Sequence, residues 1–140
     1  MKKFLIMSLA IIGLSGCSLL TPPMCNDTDF FNDTVYFDFD SSVLTAETVN
    51  TLNGQVEFLK ENEEQIVVAG HADERGTREY NIGLGERRAN AVATYLETQG
   101  IEEERISVVS YGKDKPAVEG HNEAAWAKNR RATTHFVEAE

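Results

Sequence analysis

The sequence predicts an α/β fold, a two-layer sandwich in which helices pack on one side of a mixed four-stranded sheet. The first observation behind this prediction is that short β-branched or aromatic runs alternate with longer segments of helical periodicity. The second is the length, since 140 residues with 41% hydrophobic residues suit one domain with a single core. The third is that no internal repeat is found along the sequence.

The first half of the predicted domain contains two strands and a helix. Residues 34–37 are β-branched or aromatic, which predicts a strand. Thr45 is a candidate N-cap for a helix that ends near residue 60, because the apolar residues that follow it recur on one helical face. These residues are Val49, Leu52, Val56 and Leu59. Residues 65–70 contain a continuous apolar run, which is typical of an interior strand.

The second half begins with a polar loop at residues 71–79. A helix is predicted from about Asn81 or Gly85 to Gln99, and Gly100 supplies the residue that ends it. The core face of this helix contains Ala89, Val92, Ala93 and Leu96. The remaining predicted elements are a strand at residues 106–111, a short helix from Asn122 and a strand at residues 131–137.

The first 33 residues are predicted to lie outside the folded domain, which comprises residues 34–140. Residues 1–16 have the layout of a secretory signal peptide, with Lys2 and Lys3 before an apolar run that is too short to span a bilayer. A buried N-terminal helix is the alternative, but it does not explain the lysine pair. Residues 17–33 have linker composition, with two prolines and no periodicity.

The signal segment ends in Leu14-Ser15-Gly16-Cys17, which resembles the lipobox of bacterial lipoproteins. That resemblance implies cleavage before Cys17 and acylation of this residue, and Ser18 after it implies delivery to the outer membrane. Three acyl chains would hold the protein at the membrane permanently, whereas a single chain binds only marginally. Cys25 is then left over, either as an inert thiol or as one half of an intermolecular disulfide.

Charge restricts the class of partner. The formal net charge is −10, so a phosphate backbone would repel the chain. We therefore do not expect the protein to bind nucleic acid. An anionic ligand has to be held by a local cluster of arginine or lysine residues against this overall field.

Such a cluster follows the second predicted strand, at the position where α/β sheets usually present their ligand groups. It contains Asp73, Glu74, Arg75, Arg78, Glu79, Arg87 and Arg88. Mixed carboxylates and guanidinium groups suit a zwitterion, because an ammonium needs an anionic acceptor and a carboxylate matches the planar fork of arginine. Arg88 is preferred to Arg87 because it precedes the core residue Ala89 and lies one turn after Leu84. A solvated charged face is the alternative.

The motifs around this cluster closely resemble the family of peptidoglycan-associated lipoproteins and, more broadly, the OmpA-like peptidoglycan-binding domains. The resemblance covers residues 34–137. It rests on GHADERGT at residues 70–77, EYNI at 79–82, LGERRA at 84–89, VYFDFD at 35–40, SYG at 110–112 and NRR at 129–131.

The resemblance implies an outer-membrane lipoprotein that faces the periplasm and binds peptidoglycan non-covalently through the diaminopimelate of its stem peptide. Asp73 is expected to accept hydrogen bonds from the diaminopimelate ammonium, and Arg88 is expected to bind the neighbouring carboxylate. By motif position, the further members of this site are Arg75, Phe39, Asp40 and Leu84. The expected partners are peptidoglycan, the outer membrane through the lipid anchor, and the Tol cell-division system through its β-propeller component. Another OmpA-like wall-binding lipoprotein with a different partner is the alternative.

Other patterns in the sequence are weaker. Residues 38–42 imitate the start of a calcium loop, but Val43 and Val49 occupy positions that need glycine and glutamate. Gly83 and Gly85 imitate a dinucleotide fingerprint, but Arg88 stands at the third glycine position. The three histidines are too dispersed to predict a metal site, and no nucleophile with its base is found. We therefore expect neither a cofactor nor an enzyme.

Overall fold

A computed structural model describes residues 31–138 of the chain. The predicted signal peptide, the lipidation site Cys17, Cys25 and most of the predicted tether lie outside these residues. Their assignments therefore stay predictions. In the part of the chain that the structure describes, no helix has the length and apolar character needed to cross a membrane.

The described elements follow one another in the predicted order. They are β1 (Thr34–Tyr36), α1 (Ala46–Glu61), β2 (Ile66–His71), α2 (Arg78–Thr98), β3 (Ile106–Gly112), α3 (Glu123–Asn129) and β4 (Arg131–Phe136). A short 3₁₀ turn at Glu103–Arg105, which the sequence did not predict, leads into β3.

The four strands form one mixed sheet in the order β1-β4-β2-β3. Strand β4 lies between β1 and β2 and is antiparallel to both, whereas β2 and β3 are parallel and are joined by the α2 crossover. The parallel pair is the one that needs a long connection, because a short turn cannot return the chain to the same end of the sheet. The predicted α/β architecture with a mixed four-stranded sheet is confirmed.

The hydrophobic core lies between this sheet and helices α1 and α2. The helices contribute Leu52, Val56, Leu59, Ala89, Val92 and Leu96, and the sheet and its flanking loops contribute Val35, Phe37, Ile66, Val68, Ile101 and Ala132. Three of the four residues predicted for the core face of α1 are buried, while Val49 is only half-buried. The helical periodicity in the sequence therefore identified the faces that pack.

Helix α2 begins at Arg78, so the predicted start at Asn81 or Gly85 was wrong. The reason is an N-cap: Thr77 Oγ1 accepts a hydrogen bond from the backbone N–H of Tyr80 at 3.1 Å. The first turn of the helix is exposed and polar, so it carries none of the apolar periodicity on which the prediction depended. The loop after β2 is correspondingly shorter and holds its charged residues close to the strand.

Helix α2 also approaches β2 unusually closely. A Cβ atom added to Gly70 would lie 1.7 Å from the carbonyl oxygen of Gly85, so neither backbone could come this near with a larger residue at position 70. This contact brings the N-terminal half of α2 over the carboxyl end of β2, which is where the candidate site forms.

Candidate ligand-binding site

A cavity of about 190 Å³ opens where the loops after β1 and β2 meet the start of α2. It is lined by Phe39, Asp40, Asp73, Arg75, Gly76, Tyr80, Asn81 and Leu84. Five of the six residues that the sequence predicted for ligand binding are in this lining, and the sixth, Arg88, is not. A larger groove of about 480 Å³ runs along β1 and the start of α1, but none of the six lines it.

Asp73 supplies a buried negative charge to this cavity. Its carboxylate is 5% exposed and accepts three hydrogen bonds from Arg75: from the backbone N–H at 3.0 Å, from Nε at 3.1 Å and from Nη2 at 2.8 Å. Burial alone would raise the pKa of Asp73, but these bonds outweigh it and the pKa is lowered from its ordinary value. Asp73 is therefore ionised at neutral pH.

Arg75 is held by two aromatic rings as well as by Asp73. Its Cζ atom lies 4.0 Å from the centroid of the Phe39 ring and 4.1 Å from that of Trp126. The side chain of Arg75 is 32% exposed, so the guanidinium group lies at the rim of the cavity. Trp126 belongs to α3 and was not predicted as a site residue. The one signal in the sequence that could have pointed to it is that it is the only tryptophan of the chain.

Arg88 is completely buried, although the sequence predicted that it binds ligand. Each of its three nitrogen atoms donates a hydrogen bond to a backbone carbonyl: Nε to Ser41 at 2.8 Å, Nη1 to His71 at 2.8 Å and Nη2 to Asp38 at 3.0 Å. Burial lowers the pKa of Arg88 to about 10, which leaves it charged at neutral pH. The arginine therefore joins the two segments that carry Asp40 and Asp73.

A third guanidinium group, that of Arg130, lies beside Asp73. Its Nε donates to the carbonyl of Phe37 at 2.9 Å and its Nη2 to Glu123 at 2.8 Å. Its Nη1 is buried 3.8 Å from the Asp73 carboxylate and has no hydrogen-bond partner among the described residues. Sequence reasoning placed Arg130 only in a family motif and gave it no role in the site.

The other side of the cavity is closed by contacts between the loop after β1 and α2. Asp40 has φ 50°, in the left-handed region, and its carboxylate accepts a hydrogen bond from the hydroxyl of Tyr80. Phe39 is 60% exposed, so its ring remains accessible beside Arg75. Asn81 is buried, and its side chain donates a hydrogen bond to the carbonyl of Arg75 at 2.8 Å. This bond attaches the loop after β2 to the first turn of α2.

Glu74 points to the opposite side from Asp73 and interacts with α3 and its N-terminal loop. Its carboxylate accepts a hydrogen bond from Nε1 of Trp126 at 3.0 Å, and both of its oxygens lie 2.7 Å from Nδ1 of His121. The bond from Trp126 is the main reason that the pKa of Glu74 is lowered. The neighbouring carboxylates of Asp73 and Glu74 therefore have separate partners.

Two further expectations concern the histidines and metals. Among the described residues, no group of three or more His, Cys, Asp or Glu side chains is arranged to hold a metal ion. His121 and His135 are exposed, whereas His71 is buried at the end of β2, with its ring 5.5 Å from that of Tyr111. The three histidines thus lie apart from one another, two at the surface and one buried at a strand end.

The chain matches the OmpA family over residues 36–130, which is more than half of its length. The residues that line the cavity all lie within this range. The chain therefore belongs to the OmpA family. A crystal structure of the peptidoglycan-associated lipoprotein from Burkholderia pseudomallei has the same fold, with a TM-score of 0.73 and 42% identity, and the match covers 75% of this chain and 90% of that one. The C-terminal domain of Helicobacter pylori MotB shares the fold at 20% identity, with a TM-score of 0.71 over 76% of this chain and 85% of that one.

Sequence relatives show to which group within the OmpA family the chain belongs. The chain is 42% identical over 127 residues to the peptidoglycan-associated lipoprotein of Mesorhizobium japonicum, covering 89% of this chain and 76% of that protein. The chain is also 50% identical over 98 residues to the peptidoglycan-associated lipoprotein of Pseudomonas aeruginosa. This match covers 70% of the chain but only 58% of that relative. Within the OmpA family the chain is thus a member of the peptidoglycan-associated lipoproteins. None of these relatives bears the name of an enzyme.

Proposed function

We propose that the protein is an outer-membrane lipoprotein that binds peptidoglycan without a covalent bond, through the diaminopimelate of the stem peptide. The observation that carries this proposal is the cavity in which the buried, ionised carboxylate of Asp73 lies among the guanidinium groups of Arg75, Arg88 and Arg130. The far end of diaminopimelate is an amino-acid zwitterion, so its binding site needs a negative and a positive group close together. Because the net charge of the chain is −10, an anionic group is repelled by most of its surface and needs such a local cluster of arginines to bind.

Each charge of the zwitterion has a matching group. The ammonium donates to the carboxylate of Asp73, and Asp40 is a second carboxylate in the cavity lining. The carboxylate receives hydrogen bonds from the N–H groups that Arg75 does not already use, since a guanidinium group has five donors and Arg75 uses only some of them on the protein. The buried positive charge of Arg88 adds to the attraction of the carboxylate. Leu84 and Phe39 contact the aliphatic part of the ligand.

The proposed role in the cell is attachment. A lipid anchor at Cys17 would hold one end of the protein in the outer membrane, and many weak wall contacts made in parallel would hold the other. Exchange between the wall and the periplasmic β-propeller of the Tol system is part of this proposal, and a pull-down of that propeller by the wall-free protein tests it. Absence of the propeller from the pull-down would favour a wall-binding lipoprotein with a different partner.

Co-sedimentation with purified diaminopimelate-type sacculi tests the wall contact. The soluble protein of residues 26–140 is suitable, because every residue of the hydrophobic core lies within it. We expect the wild type to sediment with the sacculi and the variants Asp73→Asn and Arg75→Gln to remain in the supernatant. Arg78→Gln is the matched control, since Arg78 is an exposed arginine of the same region that pairs with Asp114 outside the cavity.

Each outcome has a separate meaning. Failure of the wild type to sediment would overturn the proposed wall binding altogether. Sedimentation that neither Asp73→Asn nor Arg75→Gln reduces would keep wall binding but exclude this cavity as its site. Arg88→Ala has to be tested together with a measurement of folding, because its three bonds to backbone carbonyls make a loss of binding ambiguous.

A further inference from the structure

Trp126 connects α3 to the loop that carries Asp73. Its ring contacts the guanidinium group of Arg75, and its Nε1 donates to Glu74 at 3.0 Å. The residues on either side of Glu74 in the sequence are the two members of the ion pair in the cavity. One side chain of α3 therefore restrains two of the three consecutive residues 73–75.

The two aromatic contacts restrict the movement of the Arg75 guanidinium group. Rings centred 4.0 Å and 4.1 Å from one atom have to approach it from different sides, so Phe39 and Trp126 limit its rotation from two directions. Such restraint matters because Arg75 is partly exposed and has a long side chain. An ion pair with an exposed partner usually loses much of its benefit to the conformational entropy of that side chain.

The hydrogen bonds of Arg75 leave one side of the guanidinium group unused. Nε and Nη2 donate to Asp73, whereas no hydrogen bond of Nη1 is found within residues 31–138. A ligand whose ammonium binds Asp73 and whose carboxylate lies on the same carbon would meet Nη1 beside that ammonium. The orientation of the guanidinium plane then decides whether the carboxylate is bound well.

We propose that Trp126 is a positioning residue for ligand specificity: by stacking on Arg75 it aligns Nη1 with the ligand carboxylate and so favours diaminopimelate over lysine. This inference rests on the proposed function. Lysine ends in an ammonium alone, so it contacts Asp73 without using Arg75. Diaminopimelate carries the additional carboxylate, so only its binding depends on the alignment.

The test uses two peptides that differ by one group: a stem tripeptide ending in diaminopimelate and the same tripeptide ending in lysine. Binding to the soluble protein of residues 26–140 is measured by calorimetry. Trp126→Leu is expected to weaken binding of the diaminopimelate peptide by about three- to tenfold, the range of an aromatic–cation contact. Binding of the lysine peptide should change by less than about twofold. Trp126→Phe keeps a ring on Arg75 and should restore most of the preference.

Two controls separate positioning from a general loss of structure. Tyr36→Leu removes another partly exposed ring that contacts a cation of α3, Lys128, at a distance of 5.2 Å and away from the cavity, and should not change the preference. Arg75→Gln should itself remove the preference for the diaminopimelate peptide over the lysine peptide, because Trp126 acts through Arg75. The NMR signals of the Arg75 δ-methylene protons, shielded by two rings in the wild type, should move downfield in Trp126→Leu.

Several results would overturn the proposal. One is an equal loss of affinity for both peptides on Trp126→Leu, and another is a preference for the diaminopimelate peptide that Arg75→Gln leaves unchanged. A wild-type preference that survives Trp126→Leu would leave the proposed wall binding intact while removing this role of Trp126. Failure of the wild type to bind the diaminopimelate peptide would contradict both proposals together.

Discussion

Nη1 of Arg88 donates a 2.8 Å hydrogen bond to the carbonyl oxygen of His71 and so joins the middle of α2 to the last residue of β2. The same guanidinium group also holds the carbonyls of Asp38 and Ser41 in the loop after β1. Both loops that bring carboxylates to the cavity therefore converge on one buried cation. The geometry of the candidate site depends on Arg88 before any ligand is bound.

Arg88→Lys is expected to destabilise the fold strongly. A lysine ammonium is a compact donor that cannot reach three carbonyls arranged around a planar fork, so at least one of them is left buried without a donor. We expect the free energy of unfolding to fall by about 3 kcal/mol, measured by urea denaturation.

The neighbouring residue gives the matched control for this substitution. Arg87 is exposed on the same helix, so Arg87→Lys should change the free energy of unfolding by less than about 0.5 kcal/mol. If both variants were equally stable, the three carbonyl bonds of Arg88 would not contribute to folding as described.

Gly70→Ala should be among the most damaging small substitutions in the domain. The added Cβ would lie 1.7 Å from a backbone oxygen of Gly85, and backbone atoms of a packed helix cannot move aside cheaply. We expect a loss of about 3 kcal/mol or more in thermal or urea unfolding. The same substitution at Gly54 in α1, where nothing lies within 4 Å of the added atom, should instead stabilise the protein by about 0.5–1 kcal/mol. Equal effects at the two positions would contradict the close approach of α2 to β2.

Stability should depend on pH through His71. Burial, assisted by the charge of Arg131, lowers the pKa of His71 from 6.5 to about 4. Between these two values the unfolded chain binds a proton that the folded protein does not, so unfolding becomes more favourable as the pH falls. The free energy of unfolding should therefore decrease by at most about 3 kcal/mol as the pH falls from 6.5 to 4.

Urea denaturation at a series of pH values measures this effect. His71→Gln cannot titrate, so its unfolding free energy should vary less between pH 6.5 and 4, whatever its absolute stability. The carboxyl groups of Asp73 and Glu123 also have lowered pKa values, but their protonation destabilises the fold mainly at lower pH. An unchanged slope in His71→Gln would show that another group is responsible.

The backbone of Asp40 gives a prediction that separates conformation from side-chain contacts. Its φ of 50° is tolerated by aspartate and asparagine and is unrestricted for glycine, but it is unfavourable for alanine. Asp40→Ala and Asp40→Gly both lose the hydrogen bond from Tyr80. Asp40→Ala should nevertheless be less stable by about 0.5–1 kcal/mol in urea denaturation, after the greater entropy of glycine in the unfolded chain is included. An alanine variant as stable as the glycine variant would exclude strain at this position.

Local pattern was sufficient for much of the fold and for the location of the site. The periodicity of Leu52, Val56 and Leu59 predicted the buried face of α1, and the apolar run before Gly70 predicted an interior strand. Where the signal was a side-chain cap rather than a pattern, as at Thr77, the predicted boundary was wrong. The first turn after Thr77 is polar, so no apolar spacing marks this cap, whereas the apolar residues that follow Thr45 correctly marked the cap of α1.

The sequence by itself determined the fold class, the order of the elements and the charged loop after β2 that borders the cavity. Only the tertiary structure decided which guanidinium groups line the cavity. It buried Arg88 completely and placed Trp126 from a distant helix against Arg75. The physical reason is that spacing along a helix or strand fixes which side a residue points to, whereas burial and stacking depend on segments that are remote in the chain.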